Sequence, residues 1–161
     1  MVANADPHNL EAIMSHPAAM IGFSDAGAHL RNMAFYNFPL RMLKRVRDAQ
    51  RAGRPFMSVE DAVRKLTSDI AEFHRIDAGR LETGARADLV VIDPERLDDT
   101  VEEIHEEPMP EFTGLNRLVR RNDDTVRAVL VSGKVAWKRG APADDLGTSR
   151  HYGRVLALGS A

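Results

Sequence analysis

The chain has 161 residues, 43% of them hydrophobic and 29% charged, with a formal net charge of -2. That length and apolar content suffice for one ordinary domain or two small ones with a real core, and the near-balanced charge excludes a general pull toward nucleic acid or membrane. The absence of cysteine excludes disulfides, thiolate nucleophiles and cysteine-ligated zinc, so any metal must be held by His, Asp or Glu.

No apolar stretch approaches the roughly 20 residues needed to span a bilayer, and Met1 to His8 lacks a basic region followed by an apolar one. A cytoplasmic protein without membrane partners is therefore expected. The sequence opens with Val2 to Pro7 and no obvious first strand, as a chain beginning in mid-fold would. Ala18-Ala19-Met20-Ile21-Gly22-Phe23, behind the turn-favouring His16-Pro17, is too short for a helix and reads as a fully buried strand. Ser24-Asp25-Ala26-Gly27-Ala28-His29 follows, placing a carboxylate at the strand's C-terminal edge and a histidine four positions later. In sheets whose strands alternate with helices, catalytic groups gather at that edge, where loops vary over a rigid scaffold. Asp25 is thus a site candidate, although an aspartate there also serves commonly as a turn or helix cap, and spacing alone favours the cap.

Pro39 fits the first turn of a helix whose apolar stripe, Leu40, Leu43 and Val46, runs until Gly53-Arg54-Pro55. Arg41, Lys44, Arg45, Arg47 and Arg51 fall on its other faces, and without interleaved aromatics this basic row reads as a solvated face rather than a nucleic-acid surface. A second helix is expected from about Val59 to Phe73 or His74. Ser58 and Asp61 form a capping-box-like start, and Ala62, Val63, Leu66, Ile70 and Phe73 keep helical spacing. His74 suits a helix C-terminus, where a protonated imidazole interacts favourably with the dipole.

From Asp77 the character changes to strands and turns. Asp88-Leu89-Val90-Val91-Ile92-Asp93 is a β-branched run stopped by Pro94, and Val126 to Val131 meets Lys134 to Lys138 across Ser132-Gly133, a hairpin signal with Val135 and Trp137 on one face. Between them, Asp98 to Glu111 carries acidic residues without Lys or Arg and reads as a surface loop. His105 beside Glu106 and Glu107 is a poor ligand set, because adjacent residues point in different directions.

Three pieces together resemble the C-terminal portion of the amidohydrolase superfamily, within it the N-acyl-D-amino-acid deacylase (D-aminoacylase) group. They are His16 to Asp25, then Ser58 to Ser68 with Gly79 to Val91, and last Val126 to Gly133 with Gly153 to Leu156. Ile70 departs from the pattern, standing where the family usually has proline before the alanine, a difference expected to touch helix geometry only. The resemblance implies an α/β fold. Residues 1–76 would form the last strand-helix part of a metal-dependent (β/α)8 TIM barrel, and residues 77–161 part of a small composite β-sandwich with an acidic insertion at 98–111.

By the same resemblance, Asp25 falls on the aspartate that ends the eighth barrel strand, touching the metal and shuttling the proton. Zinc, one or two ions, is the implied cofactor, since zinc lowers the pKa of bound water from about 15.7 toward about 7 and polarises the amide carbonyl. A carboxylate beside that water can take its proton and pass it to the leaving nitrogen. In related cyclic amide hydrolases such as dihydroorotase, a histidine four residues after this aspartate contacts the substrate carboxylate. By analogy His29 would bind the carboxylate of an N-acyl amino acid, its alternative being a loop histidine bonded to backbone. The sequence contains no His-x-His pair, so the chain alone is expected to be inactive for want of the usual three protein ligands. Three readings follow: a deacylase of N-acyl-D-amino acids or related small amides in the complete protein, a cyclic amide hydrolase of the hydantoinase or dihydroorotase kind, or a non-catalytic module that self-associates or pairs with a missing N-terminal portion.

Overall fold

The computed structural model describes residues 6–22, 31–32, 34–109 and 112–157. Helices occupy the first half: α1 (Pro7–Ser15), α2 (Phe38–Arg51), α3 (Val59–Leu66) and α4 (Ser68–His74). Short strands occupy the second: β1 (Leu89–Ile92), β2 (His105–Pro108), β3 (Asn116–Val119), β4 (Val126–Val131), β5 (Lys134–Lys138) and β6 (Ala141–Pro142). Between β1 and β2 lie two 3-10 turns, Pro94–Arg96 and Asp99–Glu102.

α1 is not among the elements expected from the sequence, though its signature is present. Asp6 is the N-cap, its carboxylate accepting from the His8 and Asn9 amides at 2.8 and 3.1 Å, and Pro7 occupies the first turn, where its missing N–H costs nothing. The expected buried strand is not found over its described part. Residues 18–22 carry no strand pairing, and Met20 is 45% exposed. An apolar run becomes a strand only where a neighbour takes its main-chain groups. Here the His16 and Ala19 carbonyls are instead bound by the Lys65 side chain.

α2 appears as expected and supplies the centre of the apolar core. Met42 and Val46 pack with Met14 of α1 and Ala62 of α3, flanked by Leu10, Ile21 and Phe56 among others. The expected single helix from Val59 is two. Ser58 caps the first, accepting from the Asp61 amide at 3.0 Å while its hydroxyl donates to the Asp61 carboxylate at 2.8 Å. At Thr67 the backbone leaves helical geometry (φ -131°, ψ -89°), separating α3 from α4. Gly79, with φ +79°, lies against the break so closely that a Cβ there would stand 2.8 Å from the Thr67 carbonyl carbon and 2.9 Å from the Ser68 nitrogen. That approach fits a backbone without a side chain.

The main sheet has the order β1-β4-β5-β6, each pair antiparallel. Ser132 and Gly133 turn β4 into β5 with φ of 49° and 80°, the left-handed pair a two-residue hairpin requires. Val90 and Val91 of the edge strand β1 are 56% and 47% exposed. The acidic stretch is not a plain loop. It holds a 3-10 turn and β2, which pairs antiparallel with β3, His105 opposite Val119 and Pro108 opposite Asn116. Glu107 reaches Arg121, and Arg31 reaches Glu106, so the carboxylates of this ribbon are neutralised by arginines from elsewhere in the chain.

Candidate functional site

Asp25 and His29, with the rest of the Ser24–His29 hexapeptide, lie outside the described residues. The structure shows what holds the chain on either side of it. Upstream, Lys65 of α3 is buried, and its ammonium donates to the carbonyls of His16 at 2.9 Å and Ala19 at 3.0 Å. A buried ammonium is costly unless its N–H groups are taken, so these two bonds fix the turn that leads into Met20-Ile21-Gly22. From the other side Ile70 of α4 approaches Gly22, its terminal methyl 3.7 Å from where a Gly22 Cβ would be.

Downstream, residues 31–32 and 34–37 are tied to the β2-β3 ribbon and to the residues beside it. The Leu118 amide donates to the Arg31 carbonyl at 2.7 Å, within a parallel bridge between Asn32 and Leu118. The Arg31 side chain returns a bond to the Asn116 carbonyl at 2.9 Å. Arg120, buried, donates to the carbonyls of Ala34 at 2.8 Å and Glu102 at 3.2 Å, and its guanidinium lies 5.1 Å from the centre of the Phe35 ring. Burial pushes the Arg120 pKa down, as does nearby Arg41, against the opposing pull of Glu102. Asn37, buried just before α2, donates to the Val101 carbonyl at 2.8 Å.

The basic row of α2 is not the solvated face its sequence suggested. Arg41 pairs with Glu102 at 2.7 Å, Lys44 bridges Asp48 and Asp99 at 2.8 Å each, and Arg47 donates to the carbonyls of Pro94 and Leu97. Burial would lower the Lys44 pKa, but its bonds to Asp48 and Asp99 raise it overall. Burial would raise the Asp48 carboxyl, yet hydrogen bonds from Lys44 and Arg47 bring it below the ordinary range. Arg41 and Lys44 thus meet carboxylates of the acidic stretch, while Arg45 pairs with Glu11 and Arg51 with Glu95.

An open cleft of about 1140 Å³ lies between α1, residues 20–22, α2 and α4. Met14, Met20, Ile21 and Phe73 give it apolar walls, with Arg45 and His74 adding charge-capable groups. His74 ends α4 as its sequence position suggests, edge-on to Phe73 with ring centres 5.1 Å apart. The cleft is reached by the segment that leads to Asp25, since Ile21 and Gly22 line it.

Among the described residues no three His, Asp or Glu side chains converge on a point where a metal ion could sit. His105 lies 3.8 Å from Glu103 and belongs to no such group. The described residues therefore do not by themselves fit the metal that the sequence resemblance implies. Also among them, no helix is long and apolar enough to cross a membrane. Lys65 and Arg120 were not singled out by sequence reasoning. The available signal for Lys65 was a cation three residues after core residue Ala62, on the stripe that should be apolar.

A family model described as "Amidohydrolase family" matches residues 4–137. Uncharacterized proteins of Mycobacterium bovis and of two Mycobacterium tuberculosis strains are each 51% identical over 163 residues, covering 99% of this chain. The chain spans 27% of the length of these relatives. No solved structure matches it.

Proposed function

The chain belongs to the amidohydrolase family, and from that premise we propose that it forms the C-terminal part of a metal-dependent hydrolase of non-peptide carbon–nitrogen bonds. The N-acyl-D-amino-acid deacylase type is the reading preferred. The single observation that carries the proposal is the family match across residues 4–137, which includes Asp25, His29 and the Gly79–Val91 motif. In this reading residues 1–76 close a (β/α)8 barrel and residues 77–161 belong to a composite β-sandwich. The protein works in the cytoplasm on a small N-acyl amino acid.

Asp25 takes a proton from the attacking water and delivers it to the leaving nitrogen as the carbon–nitrogen bond breaks, so that amide and water become carboxylate and amine. His29 holds the substrate carboxylate. Zinc would engage Asp25 together with ligands that the described residues do not supply, and it would activate water and polarise the carbonyl.

Replacing Asp25 with Ala in a polypeptide of the relatives' length tests this directly. Turnover should fall by at least about a thousandfold while the folded fraction is unchanged; retained turnover would end the assignment. Assaying N-acyl-D-amino acids beside hydantoins and dihydroorotate separates the deacylase from the cyclic amide hydrolase. A second reading, a non-catalytic module that associates with itself or with the remainder of a longer polypeptide, is favoured by the open cleft and by Phe73, which is 68% exposed on its wall. Size-exclusion chromatography of the 161-residue chain checks it, a monodisperse monomer counting against it.

A further inference from the structure

We propose that the ribbon of β2 and β3, with the residues that follow it, is a clamp on the chain leaving the Ser24–His29 hexapeptide, and that Arg120 is its positioning residue. The inference rests on the proposed roles of Asp25 and His29.

Arg31 comes two positions after His29 in the sequence. Between there and α2, the Phe35 and Asn37 carbonyls accept from amides of α2, whereas those of Arg31 and Ala34 face another partner. They are taken by the ribbon instead. The Arg31 carbonyl accepts from the Leu118 amide, and the Ala34 carbonyl accepts from Arg120. Both bonds grip main chain, so what they fix is the path of the backbone rather than the conformation of one side chain. The Arg31 guanidinium closes the same joint from the other direction, onto the Asn116 carbonyl and toward Glu106 at 3.5 Å.

Arg120 joins three partners that no shorter or single-headed cation reaches together. Its Nη1 serves Ala34, its Nε serves the Glu102 carbonyl, and its planar face lies over Phe35. A guanidinium carries these donors in a rigid fork, whereas a lysine ammonium is a point charge on a flexible stem. Glu102, 3.8 Å away, balances the buried charge and is itself held by Arg41 of α2. The clamp is therefore anchored in the core helix and ends on the chain that follows His29 in the sequence. Small displacements of a reacting group cost large factors in rate, on the order of a hundredfold for about 1 Å, so a backbone anchor of this kind bears on turnover as well as on folding.

The test combines hydrogen exchange with steady-state kinetics on Arg120→Ala, Arg120→Lys and Arg31→Ala in a polypeptide of the relatives' length, with Asp25→Ala beside them. Exchange at residues 34–37 should rise at least about tenfold in Arg120→Ala with α3 and β4 unchanged, and kcat should fall about tenfold or more while KM moves less than about twofold. Arg120→Lys should fall between that variant and the parent. Arg31 is largely exposed, so Arg31→Ala will fold, and it should show a smaller rise at the same residues; it decides the question if Arg120→Ala does not fold. A uniform rise in exchange, no rise at 34–37, or an unchanged kcat in a variant whose exchange has risen there would overturn the clamp. If Asp25→Ala remains active, the proposed function fails by itself, and exchange alone then decides the clamp.

Discussion

α2 faces two regions held together by opposite means. On one side Met42 and Val46 sink into an apolar core with Met14 and Ala62. On the other, Arg41, Lys44 and Arg47 meet the stretch from Pro94 to Glu102 through ion pairs and bonds to carbonyls. The difference is that the first contact depends on shape and volume, indifferent to salt and pH, whereas the second depends on charge state. One helix can thus carry a permanent joint and a condition-sensitive one, and the acidic stretch is attached by the latter.

The largest effect should come from the core. Met42, only 4% exposed, replaced by Ala should cost about 2–5 kcal/mol in chemical denaturation, with no dependence on ionic strength. Were that loss to vary strongly with salt, the two faces would not be distinct. On the polar face, Arg47→Ala should cost about 1–3 kcal/mol, because two carbonyls lose a mostly buried donor. Its signature is local: exchange should rise around Pro94 to Leu97 before the core opens. An equal rise throughout would make the polar face part of the same cooperative unit as the core.

The smallest effect is the pH dependence of the polar contacts. Asp48 has its pKa lowered by Lys44 and Arg47 after opposing its burial, and Glu107 has its own lowered by Arg121. A carboxylate whose folded pKa lies below its unfolded value contributes stability that is complete above the unfolded value and is lost as pH falls through the folded one. The unfolded values are 3.8 for Asp48 and 4.5 for Glu107, so stability should hold through neutral pH and decline below about pH 4.5. Lys44 works in the other direction. Its raised pKa contributes below 10.5 and is lost as the medium becomes more alkaline than that. Thermal melts of Arg47→Ala between pH 3 and 7 should show a shallower acid limb than the parent; an identical limb would remove Asp48 from the explanation.

These contrasts also explain what was legible in the sequence. The stripe of α2 and the Ser132-Gly133 hairpin rest on local periodicity and turn chemistry, and both are legible in the sequence. The partition of the second helix is not, because the break at Thr67 packs against the main chain of Gly79, twelve residues away and outside any local pattern. The ribbon of β2 and β3 was missed because glutamates are poor strand formers, and these pair only where arginines neutralise them. The basic row looked solvated because its partners lie about fifty residues downstream, beyond any local window. The reading of residues 18–22 as a buried strand failed for a related reason, since a buried lysine rather than a neighbouring strand takes the adjoining carbonyls. For Asp25 and His29 the proposed roles rest on the family resemblance, and the structure describes the chain before and after them, held by Lys65 and by Arg120.

Gly79 carries one more implication. Because main chain there touches main chain, a methyl group added at that position is two lesions in one: it strains a left-handed backbone and it wedges apart the junction of α3 and α4. Any side chain there forces the junction to shift, so the turn at Gly79 couples the geometry of the helical half to the start of the strand-rich half.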